Sequence, residues 1–269
     1  MSVLRDTLSL TQRWLIHLRK DKMSLTLGII QPLILLTLVG PLLDHVVTDA
    51  SEVESLKALL EDRFATTDYL SFLFSGIAVF TILVNSILGG IPVVFDRETG
   101  FMDKILAAPI SRLSIVAARF LYVILYSLIQ VGIISVVAVA IGVRPENPLL
   151  ALGALVGYST LLCAGITVLS LALAFIFPHH SIFFAITGFL LTPLLVLSPT
   201  FVARASMPGW MQTVASFNPM THAIEPIRSA FLVPGGGELE PYLISAGCLL
   251  AFDVVCFVLA VRVIKRRLD

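Results

Sequence analysis

Residues 69–95 read YLSFLFSGIAVFTILVNSILGGIPVVF, without a single Lys, Arg, Asp, Glu or His. About 20 apolar residues suffice for a helix to cross the ~30 Å hydrocarbon layer, where every backbone N–H must be bonded within the protein. The stretch therefore reads as a membrane helix. The same criterion applied along the chain finds six runs, at about residues 24–43, 69–95, 120–143, 149–177, 181–202 and 241–261. Composition agrees: 57% of the 269 residues are hydrophobic and 13% charged, with a mean hydropathy of +0.97. The expected fold is an all-α membrane protein of six transmembrane helices. The second and fourth runs exceed what an upright helix needs, so they should tilt, kink or extend beyond the lipid. Pro32, Pro92 and Pro193 leave carbonyls inside spans that neighbouring helices must satisfy.

Orientation follows from the basic residues. Thirteen of the 18 Lys and Arg fall at the N-terminus, between the second and third runs, or after the sixth, and the rest fall on the other side. Both termini are therefore expected in the cytoplasm. Asp44, Asp49, Glu52, Glu54, Glu61, Asp62 and Asp68 crowd the first external loop, which reads as a solvated helix or flexible segment. More than 20 residues precede the first apolar run and no A-x-A-like site follows it, so that run is expected to remain as a span rather than be cleaved. With no internal repeat, residues 24–269 are expected to form one membrane domain behind a cytoplasmic segment, residues 1–23. Equal numbers of acidic and basic residues, 18 each, give no excess charge for a nucleic-acid partner. Cys163, Cys248 and Cys256 lie in apolar runs without a C-x-x-C pair, as small buried residues do.

Three segments have helical periodicity without the length to cross. At the N-terminus Leu4, Leu8, Leu15 and Leu18 form a stripe with Trp14 beside it, opposite Asp6, Ser9, Arg13 and Lys20. This pattern suits a helix in the cytoplasmic interface, or a plain basic flank. Residues 96–112 follow on the cytoplasmic side, with Phe101, Ile105 and Ala108 on one face and Asp103, Lys104 and Ala107 on the other, closed by Pro109. Such a loop can dock a soluble partner or simply turn the chain back. On the outer side, within about 204–240, Asn218 can cap a helix whose first turn holds Pro219. Met220, Ile224, Ile227 and Phe231 oppose Thr221, His222, Glu225, Arg228 and Ser229. This helix is expected at the outer interface or dipping into it, followed by a flexible turn at Gly235-Gly236-Gly237.

Chemistry is sparse. There is no G-x-x-x-x-G-K-[ST], no G-x-S-x-G and no H-E-x-x-H. Catalytic, metal-binding and cofactor-binding residues are expected to be absent. His179 and His180, without a third ligand, read as decoration of a cytoplasmic turn. Asp253 is the ionisable residue deepest in a span. It should be protonated, paired across the bundle with a residue such as Asn85 or Gln130, or a proton carrier.

Two motifs carry a family likeness. Residues 95–119, FDRETGFMDKILAAPISRLSIVAAR, resemble the signature cytoplasmic loop of the type-2 ATP-binding cassette exporter permeases, in the drug-resistance and multidrug branch. Residues 207–232, MPGWMQTVASFNPMTHAIEPIRSAFL, look like that family's segment before its last span, with its Trp, Asn-Pro and Glu-x-x-Arg landmarks. The resemblance implies that Arg97, Glu98, Gly100, Phe101, Lys104, Pro109, Ser111 and Arg112 lie in or beside a coupling helix seated in a groove of a separate ATPase. It implies that the N-terminal stripe is an interface helix touching the same partner. Asn218, Pro219, Glu225 and Arg228 would belong to external re-entrant helices. Ala118-Arg119 departs from the Gly-Lys frequent in the family but keeps the charge.

These implications make the chain a permease subunit, paired with a second copy or a paralogue and with an ATPase that holds ATP and Mg²⁺. It would move a drug-like or lipid-like amphiphile outward across a bacterial inner membrane. Lipid-linked polysaccharide export and proton-coupled transport through Asp253 are the rivals. Lacking a phosphate-binding loop, the purified chain alone is expected to hydrolyse no ATP. Phosphate release above background, with contaminating ATPases excluded, would refute the reading.

Overall fold

The computed structural model describes residues 3–20, 22–42, 69–107 and 112–268, all of whose regular elements are helical. In chain order these are α1 (Val3–Lys20), α2 (Lys22–Ile34), α3 (Tyr69–Leu88), α4 (Ile91–Glu98), α5 (Phe101–Ala107), α6 (Arg112–Ala140), α7 (Pro148–Ile176), α8 (His180–Val196), α9 (Gly209–Phe217), α10 (Pro219–Leu232) and α11 (Leu239–Leu268). A π-helical turn at Leu35–Val39 prolongs α2. The acidic loop, Pro109 and Ser111 lie outside the described residues.

Helix α3 is the centre of the bundle, with 17 of its 20 residues buried. It is apolar on every side, as a helix surrounded by others must be, and packs against α6, α7 and α10. Helix α11 lies along α7 and turns Leu243, Leu250, Val254 and Phe257 outward. With Val136, Leu149 and Phe189 also exposed, the bundle presents an apolar surface far larger than a water-soluble monomer tolerates.

Five stretches have the length and composition to cross a membrane: Leu25–Leu42, Tyr69–Glu98, Ser114–Ala140, Pro148–Ile176 and Leu239–Val263. The run expected at 181–202 departs from this pattern. It forms a helix of 17 residues, about 26 Å long at 1.5 Å per residue. Helix α8 stops there because the chain turns at Ser198, which precedes Pro199 and is thereby disfavoured in the helical region. Six expected spans thus become five of crossing length and one shorter apolar helix.

The outer helix α10 begins at the expected place, with Asn218 Oδ1 accepting from Met220 N–H at 3.0 Å and Pro219 in the first turn. Its environment differs from the expectation of a half-exposed interfacial helix. Thr221 and Arg228, placed on the polar face, are fully buried, because α10 packs against α3, α7 and α11 together. The glycine turn behind it is specific: Gly235, Gly236 and Gly237 have φ of 71°, 81° and 76°, a region L side chains rarely adopt.

The long second run breaks between α3 and α4 at Gly89-Gly90. Pro92 cannot donate, so the ladder is interrupted just before it. Gly90 N–H donates instead to Ser170 Oγ at 2.9 Å, Ser170 Oγ–H donates to Ile87 O, and Arg119 Nε–H donates to Gly89 O at 2.6 Å. A Cβ on Gly90 would stand 2.6 Å from the Ser170 carbonyl and 3.0 Å from the Phe183 ring. Gly90→Ala is therefore expected to destabilise the fold by about 1–3 kcal/mol, the usual range for overpacking, read as a lowered melting midpoint in detergent. Gly132→Ala, where a Cβ meets nothing within 4 Å, should leave the midpoint unchanged or raised.

Candidate functional site

The end of the bundle at α4 and α5 gathers most of the residues that the first motif contains. The last turn of α4 delivers Arg97 and Glu98 to the turn between α7 and α8. Arg97 Nη1 donates to Ala174 O at 2.6 Å and to Phe177 O at 3.3 Å, and its guanidinium lies over the Phe175 ring at 5.7 Å. Those are carbonyls of the α7 C-terminus, where the helix dipole favours a cation. Glu98 Oε1 accepts from His180 N–H at 2.7 Å, at the N-terminus of α8, where the dipole favours an anion. The His180 ring closes on the same carboxylate, Nδ1 lying 2.9 Å from Oε2, and stacks on Phe95 at 5.0 Å. His179 Nδ1 lies 3.6 Å from Oε1. The two histidines read as mere decoration of a turn thus form part of a contact between two cytoplasmic loops. Only the His-His pairing hinted at it in sequence, since no periodicity links residues 82 positions apart.

Beyond Glu98, Gly100 takes φ 70°, which lets the chain turn sharply into α5. Phe101 is 37% exposed, and Lys104 and Ala107 are exposed while Met102 is buried. Met102 joins Val93, Val94, Leu171, Ala174 and Phe183 in a small core of its own beneath the loop. Helix α1 reaches this loop through Arg13, whose guanidinium lies 5.0 Å from both the Trp14 and the Phe101 rings. Trp14 in turn lies 4.7 Å from the Arg119 guanidinium and 6.0 Å from the Tyr122 ring, and Thr11 is buried against α6. Leu8 and Ile16 face away from the protein. Arg119 thus joins α1 to the Gly89-Gly90 break, a role that sequence reasoning missed. Arg112 opens α6.

At the outer end a second set of bonds joins α8 to α10. Asn218 caps α10 with its oxygen while its Nδ2 donates to Leu194 O at 2.8 Å and Leu197 O at 3.1 Å, the last carbonyls of α8. Glu225 and Arg228, neighbours on one face in sequence, part company. Glu225 meets Arg204 at 3.8 Å near the surface. Arg228 turns into the core, where Nε donates to Ser75 Oγ at 3.1 Å and Nη2 to Phe72 O and Pro199 O at 3.2 and 2.7 Å. Its guanidinium also lies 3.4 Å from the Phe72 ring centroid.

The polar groups within the bundle are arranged otherwise than expected. Asn85 and Gln130 bond each other, Nδ2 donating to Oε1 at 2.7 Å, with Ser127 and Tyr126 completing the cluster. Asp253 does not belong to it. It lies on α11 against Gly165, where a Cβ would overlap its Oδ1, because α11 runs beside α7 and not beside α3 or α6. Among the described residues no three His, Cys, Asp or Glu group together as metal ligands would.

Five helices long and apolar enough to cross a membrane, with a short exposed helix at one end and a buried one at the other, make this a multi-pass membrane protein. The sequence pattern of the ABC-2 type transporter family matches residues 5–232, so the chain belongs to that family. It is 33% identical over 273 residues to transport permease ycf38 of Cyanophora paradoxa, covering 97% of this chain and 90% of that one. The same permease of Porphyra purpurea is 32% identical over 280 residues, 99% and 91% of the two chains. The daunorubicin resistance ABC transporter permease protein DrrB1 of Streptomyces coeruleorubidus is 26% identical over 161 residues, 59% of this chain and 56% of that one. Proteins of this family are multi-pass membrane subunits, not themselves enzymes, and normally pair with an ATP-binding subunit.

Asn218→Ala removes the cap of α10 and two donors to α8 at once. It should lower stability by about 1–2 kcal/mol, the upper part of the range for a lost cap. Asn218→Ser, which keeps a capping oxygen but cannot reach the α8 carbonyls as an amide does, should recover only part of the loss in thermal melts of the detergent-solubilised protein.

Proposed function

We propose that the chain is the permease subunit of an ATP-driven exporter, in which two copies, or one copy and a paralogue, form the pathway across a bacterial inner membrane. A separate ATP-binding subunit holds ATP and Mg²⁺. The observation that carries this reading is α5, a short helix on the side richest in Lys and Arg, with Phe101 and Lys104 exposed and Met102 holding it to the bundle. An apolar ring beside a cation on a rigid, exposed helix is suited to a groove in a soluble partner. Gly100 precedes that helix and Arg97 and Glu98 position it from behind, and Pro109, Ser111 and Arg112 follow it in the sequence. Helix α1, within the interface segment 1–23, steadies it from the side through Arg13.

The permease domain is residues 24–269, with both termini cytoplasmic and α8 counted as the sixth crossing. The segment 204–240 stands as the external re-entrant portion, with Asn218 and Arg228 bonding it to neighbouring elements, Pro219 opening its main helix and Glu225 meeting Arg204 within it. The exposed apolar faces of α8 and α11 are where lipid and the second permease lie. Likeness to a daunorubicin resistance permease supports an amphiphilic, drug-like or lipid-like cargo moved outward. Lipid-linked polysaccharide is the alternative cargo. Proton-coupled transport through Asp253 would leave the cytoplasmic helix without a purpose.

Phe101→Ala should weaken binding of the ATP-binding subunit by about 2 kcal/mol, the order of a truncated interface aromatic, while the bundle keeps its melting midpoint. Pull-down of the subunit at wild-type yield, with ATP-driven export undiminished, would overturn the docking role of α5.

A further inference from the structure

Helix α8 is held in an unusual way. Its middle is only partly packed: Thr187 is buried and Leu191 meets the main core, but a cavity of about 370 Å³ lies between α8 and the helices on its inner side, with Ile166, Leu169 and Leu173 of α7, Phe252 of α11 and Val214 of α9 among its walls. Ile182, Phe184, Phe189 and Val196 are exposed on its other side. At the cytoplasmic end, by contrast, Phe183 is fully buried in the small core with Val93, Val94 and Met102, and Glu98 accepts from His180 N–H at 2.7 Å. Arg97 holds the preceding α7 carbonyls in the same turn. At the outer end, Asn218 binds the carbonyls of Leu194 and Leu197 and caps α10 in the same stroke.

A 17-residue helix pinned at both ends with space behind its centre is a rigid rod that can rock without tearing a packed core. The cytoplasmic pin stands two residues before the glycine turn that leads into α5. The outer pin is the first turn of α10, whose buried Arg228 binds Phe72 and Pro199 carbonyls. Displacement of α5 therefore has a route to α10 through the two pins of α8, beside the packing of α7 on α10.

We propose that α8 is the lever joining the coupling helix to the external helix α10, with Arg97 and Glu98 as positioning residues at its cytoplasmic pin and Asn218 at its outer one. This rests on the permease reading above and gives Arg97 and Glu98 a role distinct from touching the ATPase. They face the α7–α8 turn, and their charges match the two helix ends that meet there.

The test uses the complex of the full chain with the ATP-binding subunit that co-purifies with it, in liposomes. Native cysteines are replaced and Val214→Cys, on α9 beside the cavity, serves as the reporter. Its labelling by a membrane-impermeant maleimide is compared without nucleotide and with ATP plus vanadate. With the pins intact, nucleotide is expected to change the labelling rate. In Arg97→Ala/Glu98→Ala the complex should still assemble at normal yield, but the nucleotide-dependent change should be lost. Asn218→Ala should give the same loss from the other end. Arg97→Lys/Glu98→Gln, which keeps a donor for the α7 carbonyls and an acceptor for His180 N–H, should restore most of the change and shows that loss of fold is not the cause. A nucleotide response that persists in the double alanine variant would overturn the lever. So would failure of that variant to bind the ATP-binding subunit, since the two residues would then be docking contacts. If the unsubstituted chain binds no ATP-binding subunit, the permease reading falls first and the lever with it.

Discussion

A carbonyl freed inside a bilayer has no water to turn to, and the fold is organised around that constraint. At several breaks and ends among the described helices, a side chain from elsewhere in the chain supplies the missing partner. Arg119 and Ser170 satisfy the break at Gly89-Gly90. Arg97 takes the end of α7, Glu98 the start of α8, Asn218 the end of α8 and the start of α10. Arg228 donates to Phe72 O in the first turn of α3 and to Pro199 O in the turn after α8. Each bond is modest in isolation, but for the buried groups among them, such as those at Gly89-Gly90, an unmet carbonyl or N–H in hydrocarbon costs several kcal/mol.

This pattern explains why charged residues stand so close to, or within, apolar segments. Arg119 and Arg228 are nearly or fully buried, yet each guanidinium lies over aromatic rings and donates to backbone oxygens. The weak hydration and planar fork of arginine suit it to this use, where a lysine would offer a strongly hydrated point charge. The same bonds that make the helix ends tolerable also join elements far apart in sequence. Stability and the joining of distant elements thus draw on one set of contacts.

The two motifs that carry the family likeness therefore do more than present a surface. In the cytoplasmic motif, Phe101 and Lys104 look outward while Arg97 and Glu98 look inward to the α7–α8 turn. In the outer motif, Glu225 stays near the surface and Arg228 enters the core. Neighbouring motif residues thus take opposite parts at both ends: one stays near the surface and another bonds backbone carbonyls of a different element.

Composition and the length of apolar runs alone determined that this is a helical membrane protein, because a crossing helix needs a minimum number of consecutive apolar residues and no other backbone form competes with it. They also located α10, since Asn218 and Pro219 are local signals for a helix start. The near-complete burial of α10 was not legible, for a helix with Glu225, Arg228 and Ser229 on one face looks interfacial until three other helices close around it. Nor was the shortness of α8, whose apolar run continues past the turn at Ser198-Pro199. The partner of Asp253 could not be guessed because depth in the membrane says nothing of which helices are neighbours. Above all, the meeting of Glu98 with His180 and of Asn218 with Leu194 depends on packing between helices separated in sequence. Only the tertiary structure decides that, because a periodic pattern records which face of a helix is apolar and not what the face will touch.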